Sequence, residues 1–236
     1  EKAFNTPTEM RVFAWVKDDK KKVVPGTKDV TMTPMDSIMY MKSILRAGVM
    51  SMDPLTGYVK AYVGGPDFTY FQYDMVMLGR RQIGSTIKPF LYSLAMENGF
   101  TPCDLAPNVQ QTYNVAGQSW TPRNSSRARY GENVTLKWGL QQSNNWISAY
   151  LMSRLNPQQL VTLMQKFGID SPDIHPSMAL CLGPCDVSVG EMVSAYTTFA
   201  NNGIRCAPLF VTRIEDNEGN VIADFQTRMT EVISQE

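Results

Sequence analysis

A mainly helical segment over residues 85–203 lies between two segments patterned as strands, and this order constrains the fold more than any other feature. Apolar spacing predicts five helical runs, at 89–96, 136–142, 146–155, 158–167 and 191–200. The last run ends before Asn201-Asn202-Gly203, which is a good helix stop signal. An α/β (α+β) protein with an all-helical subdomain inserted between sheet segments fits this order.

The first 35 residues have the pattern of a small β subdomain. Residues 10–16 are rich in β-branched and aromatic side chains, which predicts a strand, and residues 29–33 are its predicted partner across a charged loop. We therefore predict a linker or small β subdomain over residues 1–35 and the main domain over residues 36–236.

The clearest hairpin of the sequence joins residues 48–52 to residues 58–63. The intervening segment, 53–57, contains the Pro and Gly that a turn requires. Both strands are apolar enough to be central in a sheet. Beyond the helical segment, residues 209–214 and 221–225 are predicted as two further strands.

Charge and hydropathy exclude some function classes. The 236 residues include 22 Lys+Arg and 22 Asp+Glu without a concentrated basic stripe, so no nucleic-acid partner is expected. No apolar run approaches the roughly 18 residues that a membrane span needs. The chain starts with Glu and shows no signal peptide. We interpret it as part of a longer protein. The lack of an apolar span in these residues therefore gives no information about a membrane anchor of that protein.

Cysteine usage does not indicate a metal site. The sequence has no C-x-x-C pair and only one histidine, His175, so neither a metal nor a cofactor is expected. The cysteines either form a disulfide, if the domain lies outside the cytoplasm, or remain free thiols, and no pairing follows from the sequence. They are Cys103, Cys181, Cys185 and Cys206.

Ser85 and Lys88 are the first candidate catalytic pair. They follow Gly84 at a predicted Gly-to-helix junction, where positions i and i+3 lie on one helix face. A neutral lysine in reach of a serine hydroxyl can remove its proton and activate it as a nucleophile. The helix N-terminus offers N–H groups to an oxyanion and lowers the pKa of Lys88. About one S-x-x-K match is expected by chance in such a chain, so an ordinary surface helix is the alternative.

Ser143-Asn144-Asn145 is the second candidate motif, in a predicted loop between two helical runs. Loops of this kind can direct side chains into a cleft. Ser143 can relay a proton between Lys88 and a leaving group, and the Asn145 amide can bind a substrate amide through both its donor and its acceptor. The alternative is a helix cap, because Ser and Asn are both good caps.

Together these segments resemble the class A penicillin-binding proteins over about residues 36–225. Residues 80–90, RRQIGSTIKPF, resemble the active-serine segment with its Pro-Phe tail, and residues 120–124, WTPRN, match a W-x-P-x-N segment. The other matching segments are Val134-Thr135-Leu136 leading to Ser143-Asn144-Asn145, the L-G…E-M…A-Y…F-A-N-x-G pattern over 182–203, and the hairpin turn over 52–57.

The resemblance implies the fold of the serine β-lactamases and penicillin-binding transpeptidases, an antiparallel sheet flanked by helices plus an all-helical subdomain. It implies that Ser85 attacks the D-Ala–D-Ala bond of a peptidoglycan stem peptide, with Lys88 as the base and Ser143 as the proton shuttle. It also implies β-lactam antibiotics as ligands. The substrate-binding residues would be Asn145, Trp120 and Asn124.

The resemblance further implies an extracytoplasmic location, with a membrane anchor and a glycosyltransferase domain before residue 1. The family also uses a third motif, K-T-G, which does not occur in these 236 residues. We expect it after residue 236, and we expect the chain without it to acylate slowly.

Three alternatives remain open at this stage. A class A β-lactamase needs a deacylating Glu in an E-x-x-L-N segment, which the sequence lacks. A Ser-His-Asp hydrolase would have to use His175. A non-catalytic penicillin-binding sensor or scaffold would keep the serine without turnover, and only cross-linking of a pentapeptide donor distinguishes it from a transpeptidase.

Overall fold

The structure, a computed structural model, describes residues 2–115 and 117–234, so the last two residues of the predicted 36–236 domain lie outside the described residues. The described helices are α1 (Pro34–Ser43), α2 (Lys88–Glu97), α3 (Leu136–Gln141), α4 (Asn145–Met152), α5 (Pro157–Lys166) and α6 (Val189–Ala200). The described strands are β1 (Thr8–Lys17), β2 (Val23–Met32), β3 (Val49–Met52), β4 (Val59–Val63), β5 (Arg80–Gln82), β6 (Leu105–Pro107), β7 (Tyr113–Val115), β8 (Gln118–Trp120), β9 (Asn133–Thr135), β10 (Asp186–Ser188), β11 (Ile204–Cys206), β12 (Arg213–Glu215), β13 (Val221–Asp224) and β14 (Met229–Glu231).

The mixed fold with a helical subdomain is confirmed. The described strands form seven antiparallel pairs: β1 with β2, β3 with β4, β5 with β10, β6 with β9, β7 with β8, β11 with β14, and β12 with β13. The central position predicted for the β3–β4 hairpin stays a prediction. Its strands pair with each other, and Val49 and Val63 are 57% and 52% exposed.

Two predictions inside the strand regions need correction. Residues 209–212 were predicted as strand, but β12 begins only at Arg213. Leu209 instead bonds to the hairpin, donating its N–H to the Gly57 carbonyl and accepting from the Val59 N–H. The three-residue strands within the helical segment, such as β5 and β10, were missed because they are too short to show an alternating pattern.

The helices begin where side chains can cap them. Thr135, Asn144, Asn156 and Ser188 accept hydrogen bonds from the first free backbone N–H groups of α3, α4, α5 and α6. At α6 the cap is reciprocal, since Glu191 accepts from the Ser188 N–H in return. These caps fix the entry points of the helices that surround the predicted site.

The main core forms around α2. Phe90 and Leu91 of this helix are fully buried, and α2 packs against both α4 and α5. Phe90 contacts Phe167 edge-on, with ring centroids 4.8 Å apart, and Tyr196 at 5.5 Å. The helix that starts at Lys88 is therefore held in the middle of the helical subdomain. Within the described residues, no helix is long and apolar enough to cross a bilayer.

Candidate active site

The predicted nucleophile lies in a short turn that precedes α2. Residues Gly84–Ile87 form one 3-10 turn, and the α-helix itself starts only at Lys88. Gly84 has φ +53° and donates its N–H to the Gly183 carbonyl at 3.0 Å. A Cβ added to Gly183 would lie 2.2 Å from the Gly84 oxygen. The two glycines therefore permit a backbone approach that positions the turn, while Ser85 stays exposed to solvent.

Two further contacts hold this turn from the side of α6. The Tyr196 hydroxyl donates to the Thr86 carbonyl at 2.8 Å. Arg80, in the strand before the turn, forms an ion pair with Glu191 at 3.1 Å. Glu191 thus completes the capping box of α6 with Ser188 and also holds β5 through Arg80. The A-Y and E-M pattern marked these positions in the sequence, but their roles follow only from the contacts.

Lys88, the predicted base, is buried with 1% of its surface exposed. Burial disfavours the ammonium form and lowers the pKa of Lys88 from 10.5 to about 8. Burial also raises the pKa of the nearby Cys181 thiol to about 12, so Cys181 is neutral at the pH where Lys88 titrates. The predicted direction of the Lys88 shift is confirmed, and its main cause is burial.

Lys88 joins the two sequence motifs. Its Nζ donates to the Ser143 carbonyl at 2.5 Å, to Ser143 Oγ at 3.0 Å and to Asn145 Oδ1 at 2.7 Å. Three acceptors match the three donors of an ammonium group and oppose the effect of burial on its pKa. Across the described residues, no hydrogen bond links Lys88 to Ser85 Oγ. Lys88 is therefore hydrogen-bonded to Ser143 and Asn145 rather than to Ser85.

Ser143 lies between α3 and α4 in an unusual backbone conformation. Its φ is +49°, in the left-handed region that non-glycine residues rarely occupy. This conformation lets both its carbonyl and its hydroxyl reach Lys88 Nζ. Ser143 is exposed to solvent.

The Asn145 side chain makes two contacts within the protein, and its binding of a substrate amide stays a prediction. Its Oδ1 accepts from Lys88, and its Nδ2 donates to the Arg123 carbonyl at 2.8 Å. An amide group has two lone pairs and two N–H donors, so one of each remains free. Asn145 therefore positions Lys88 first, and only the remaining half of its amide is available to a ligand.

The segment after β8 is attached to the start of α4. Asn124 Oδ1 accepts the Asn145 backbone N–H at 3.0 Å, and the Pro122 carbonyl accepts Trp146 Nε1 at 3.1 Å. Trp120 lies apart, half-buried in the β7–β8 hairpin with its ring 6.0 Å from Tyr113. Among the described contacts, none joins Trp120 to Lys88, Ser143 or Asn145. The structure thus brings Asn124 to the motif but not Trp120.

Asn108 and Asn144 form a buried pair that supports the S-N-N motif. The sequence analysis did not predict this pair. Asn144 caps α4 and donates through Nδ2 to Asn108 Oδ1 at 2.8 Å. Asn108 in turn donates to the carbonyls of Ala128 and Arg129. Both asparagines are almost fully buried. Asn144 stands in the S-N-N motif, whereas nothing in the sequence marked Asn108.

The arrangement supplies the exposed Ser85 hydroxyl, the buried Lys88 amine with its lowered pKa, and the exposed Ser143 hydroxyl, which accepts a hydrogen bond from that amine. These are the groups that serine acyl transfer needs. In the described part of the chain, no group of three or more His, Cys, Asp or Glu side chains is placed to hold a metal ion.

Comparisons with known proteins agree with this geometry. Residues 47–236 match the family model of the penicillin binding protein transpeptidase domain, and residues 1–45 match that of the penicillin-binding protein middle domain. The boundary at residues 35 and 36 stays a prediction.

Individual relatives point the same way. Penicillin-binding protein 1A of Aquifex aeolicus is 32% identical over 191 residues, which are 80% of this chain and 26% of that protein. The Escherichia coli protein of the same name is 30% identical over 187 residues, 78% of this chain and 22% of its own length. The crystal structure of penicillin-binding protein 1A from Haemophilus influenzae aligns with a TM-score of 0.73 at 29% identity, covering 78% of this chain and 28% of that one.

The chain spans about a quarter of the length of these curated relatives. The family model nevertheless covers most of its residues, from the β3–β4 hairpin onward. On the active-serine turn, the S-N-N motif and these matches together, the chain belongs to the penicillin-binding protein transpeptidase family.

Proposed function

We propose that this chain carries the D,D-transpeptidase site of a cell-wall penicillin-binding protein, with Ser85 as the nucleophile. The observation that carries the proposal is the buried Lys88, whose pKa of about 8 lets a usable fraction act as a neutral base near pH 7. Family membership supports a peptidoglycan transpeptidase role. The names of the relatives support penicillin as a ligand.

The reaction starts with attack of Ser85 Oγ on the carbonyl of the D-Ala–D-Ala peptide bond. Lys88 accepts the serine proton, for which its ammonium must first lose a proton and turn from one of its three acceptors towards Ser85. The tetrahedral intermediate collapses to an ester on Ser85, and D-alanine leaves with a proton delivered through Ser143. The free N–H and lone pair of the Asn145 amide bind the backbone of the stem peptide.

The second half of the reaction transfers the acyl group. An amino group from a neighbouring peptidoglycan strand attacks the ester and loses its proton to Lys88 through Ser143. Lys88 returns a proton to Ser85 Oγ as the ester C–O bond breaks, which restores the free serine. Glu191, which forms an ion pair with Arg80 of the strand before the serine turn, is also bound to Ser188. It is therefore not free to activate a water, which favours acyl transfer to an amine over hydrolysis.

The setting of this activity is part of the proposal. In the full-length protein the domain lies on the outer face of the cytoplasmic membrane, behind an N-terminal anchor and a glycosyltransferase domain. Asn124 borders the substrate through its contact with Asn145, and Trp120 would contact the substrate only where the substrate extends towards the β7–β8 hairpin. The non-catalytic sensor remains the second candidate, because it would hold the same serine and lysine.

Two experiments on the full-length protein test the proposal. Intact-mass measurement after incubation with penicillin is expected to show one adduct, mapped by digestion to the peptide that contains Ser85. Ser85→Ala must abolish it, and an adduct at Ser143 would refute the assignment. A pentapeptide donor with an amine acceptor then separates enzyme from sensor: the enzyme forms cross-linked product, whereas the sensor is acylated by penicillin but forms none.

A further inference from the structure

A pocket lies where the first 45 residues meet the rest of the chain. It has a volume of about 490 Å³ and is formed by the end of α1, the loop after it and the start of β5. Lys42, Arg46 and Arg81 line it, with apolar contacts from Ile44, Leu45 and Met75. None of the side chains proposed to act in transpeptidation lines this pocket.

The three cations of this pocket have no anionic partner. Within the described residues, none of Lys42, Arg46 and Arg81 takes part in a salt bridge, and no Asp or Glu lines the pocket. Asp36 and Asp74 are close in sequence to residues that line the pocket, but neither lines it. Asp36 accepts from the Thr33 hydroxyl, and Asp74 accepts from Tyr62. Three like charges therefore share one concave surface that no described carboxylate lines, Asp74 being part of a different pocket, and this favours an anion there.

Two of these cations are held in place before any ligand arrives. The Arg46 guanidinium lies over the Phe71 ring, 5.1 Å from its centroid. Arg81 donates one N–H to the Arg80 carbonyl at 2.7 Å. A guanidinium has five N–H donors, so most of the donors of both side chains remain free. Such fixed forks match the oxygen geometry of phosphate better than a mobile ammonium does.

We propose that this pocket binds a phosphate group that carries an organic substituent. Three positive charges match the roughly −1.5 to −2 charge of a phosphate monoester better than the single charge of a carboxylate. The pocket is far larger than a bare phosphate, and the buried Met75 with the half-buried Ile44 gives the substituent an apolar wall, while Leu45 lies exposed at the rim. The ligand is either a soluble phosphate monoester or the phosphomonoester headgroup of a lipid such as phosphatidic acid.

The test is a calorimetric titration of the 236-residue chain with phenyl phosphate and with inorganic phosphate. Phenyl phosphate is expected to bind more tightly, and Lys42→Gln, Arg46→Gln and Arg81→Gln are each expected to weaken it at least about fivefold, as loss of a charge-assisted hydrogen bond does. Arg154→Gln is the matched control, because Arg154 also lies over an aromatic ring, that of Tyr150 at 5.2 Å, but outside the pocket. Thermal melts of all four variants show that each is folded.

Vesicles identify the source of the phosphate. Retention on phosphatidic acid vesicles but not on phosphatidylcholine vesicles, lost in Arg81→Gln, assigns the pocket to a lipid phosphomonoester headgroup. Binding of phenyl phosphate without vesicle retention assigns it to a soluble ester. Absence of phenyl phosphate binding, or binding that the three pocket variants leave unchanged, overturns the proposal.

Discussion

Lys88 Nζ lies 2.5 Å from the carbonyl oxygen of Ser143, a residue whose backbone is in the left-handed conformation. This contact joins the start of α2 to the loop between α3 and α4, which are 55 residues apart in the chain. A buried amine is tolerated here because its three donors all have acceptors. The same contact means that proton transfer from Ser85 requires Lys88 to release one acceptor.

The first prediction concerns stability and pH. The pKa of Lys88 is about 8 in the folded chain and 10.5 without burial, so between these values the unfolded chain binds more protons. The free energy of unfolding attributable to Lys88 therefore rises with pH from about 8 to about 10.5. Urea unfolding of the wild-type chain and of Lys88→Met at several pH values measures it. The wild-type minus variant difference should grow across this window, and a constant difference would contradict the lowered pKa.

A second prediction concerns the rate of acylation. The penicillin acylation rate of the full-length protein should rise with pH through a midpoint near 8, because neutral Lys88 is the base. Lys88→Arg should show no measurable acylation, since a guanidinium does not give up its proton in this range. Lys60→Arg, a change of an exposed lysine in β4, is the control and should react normally. Near-native rates in Lys88→Arg would remove lysine from the base role.

The third prediction tests Asn124 as a positioning residue. Asn124→Ala removes the acceptor of the Asn145 N–H and should cost about 1 kcal/mol of stability and slow acylation several-fold. Asn124→Asp keeps the acceptor for the Asn145 N–H but loses the Nδ2 donor to the Ser126 carbonyl at 2.7 Å, so it should recover only part of the stability. Its negative charge near Lys88 should raise the lysine pKa and move the midpoint of the rate–pH curve above 8. An unshifted midpoint in Asn124→Asp would show that Asn124 does not act through Lys88.

The fourth prediction separates steric contact from backbone conformation at the serine turn. Gly183→Ala places a methyl group against the Gly84 carbonyl and also strains a residue at φ +68°. It should cost more than about 2 kcal/mol and reduce acylation. Gly99→Ala is the matched control, because Gly99 has φ +89° but open space around it, and it should cost only about 1 kcal/mol. Equal melting temperatures of the two variants would show that the close approach at Gly183 is unimportant.

Much of the local structure was determined by the sequence alone. The start of α5 at Pro157 follows from the fixed φ of proline, and the end of α6 before Asn201 follows from capping. The 53–57 turn follows from its Pro and Gly. These features depend on neighbours in the chain. The family resemblance likewise rested on short contiguous segments around Ser85 and Ser143, which is why it could be recognised without a structure.

The tertiary structure alone decided how distant side chains are used. The sequence placed Lys88 one helical turn from Ser85, whereas the fold joins it to Ser143 and Asn145. One acceptor and one donor of the Asn145 amide are therefore used within the protein: Oδ1 accepts from Lys88, and Nδ2 donates to the Arg123 carbonyl. The pocket of Lys42, Arg46 and Arg81 likewise exists only in three dimensions. The physical reason is that local patterns encode backbone conformation, whereas burial, pKa and shared hydrogen bonds depend on which segments meet in space.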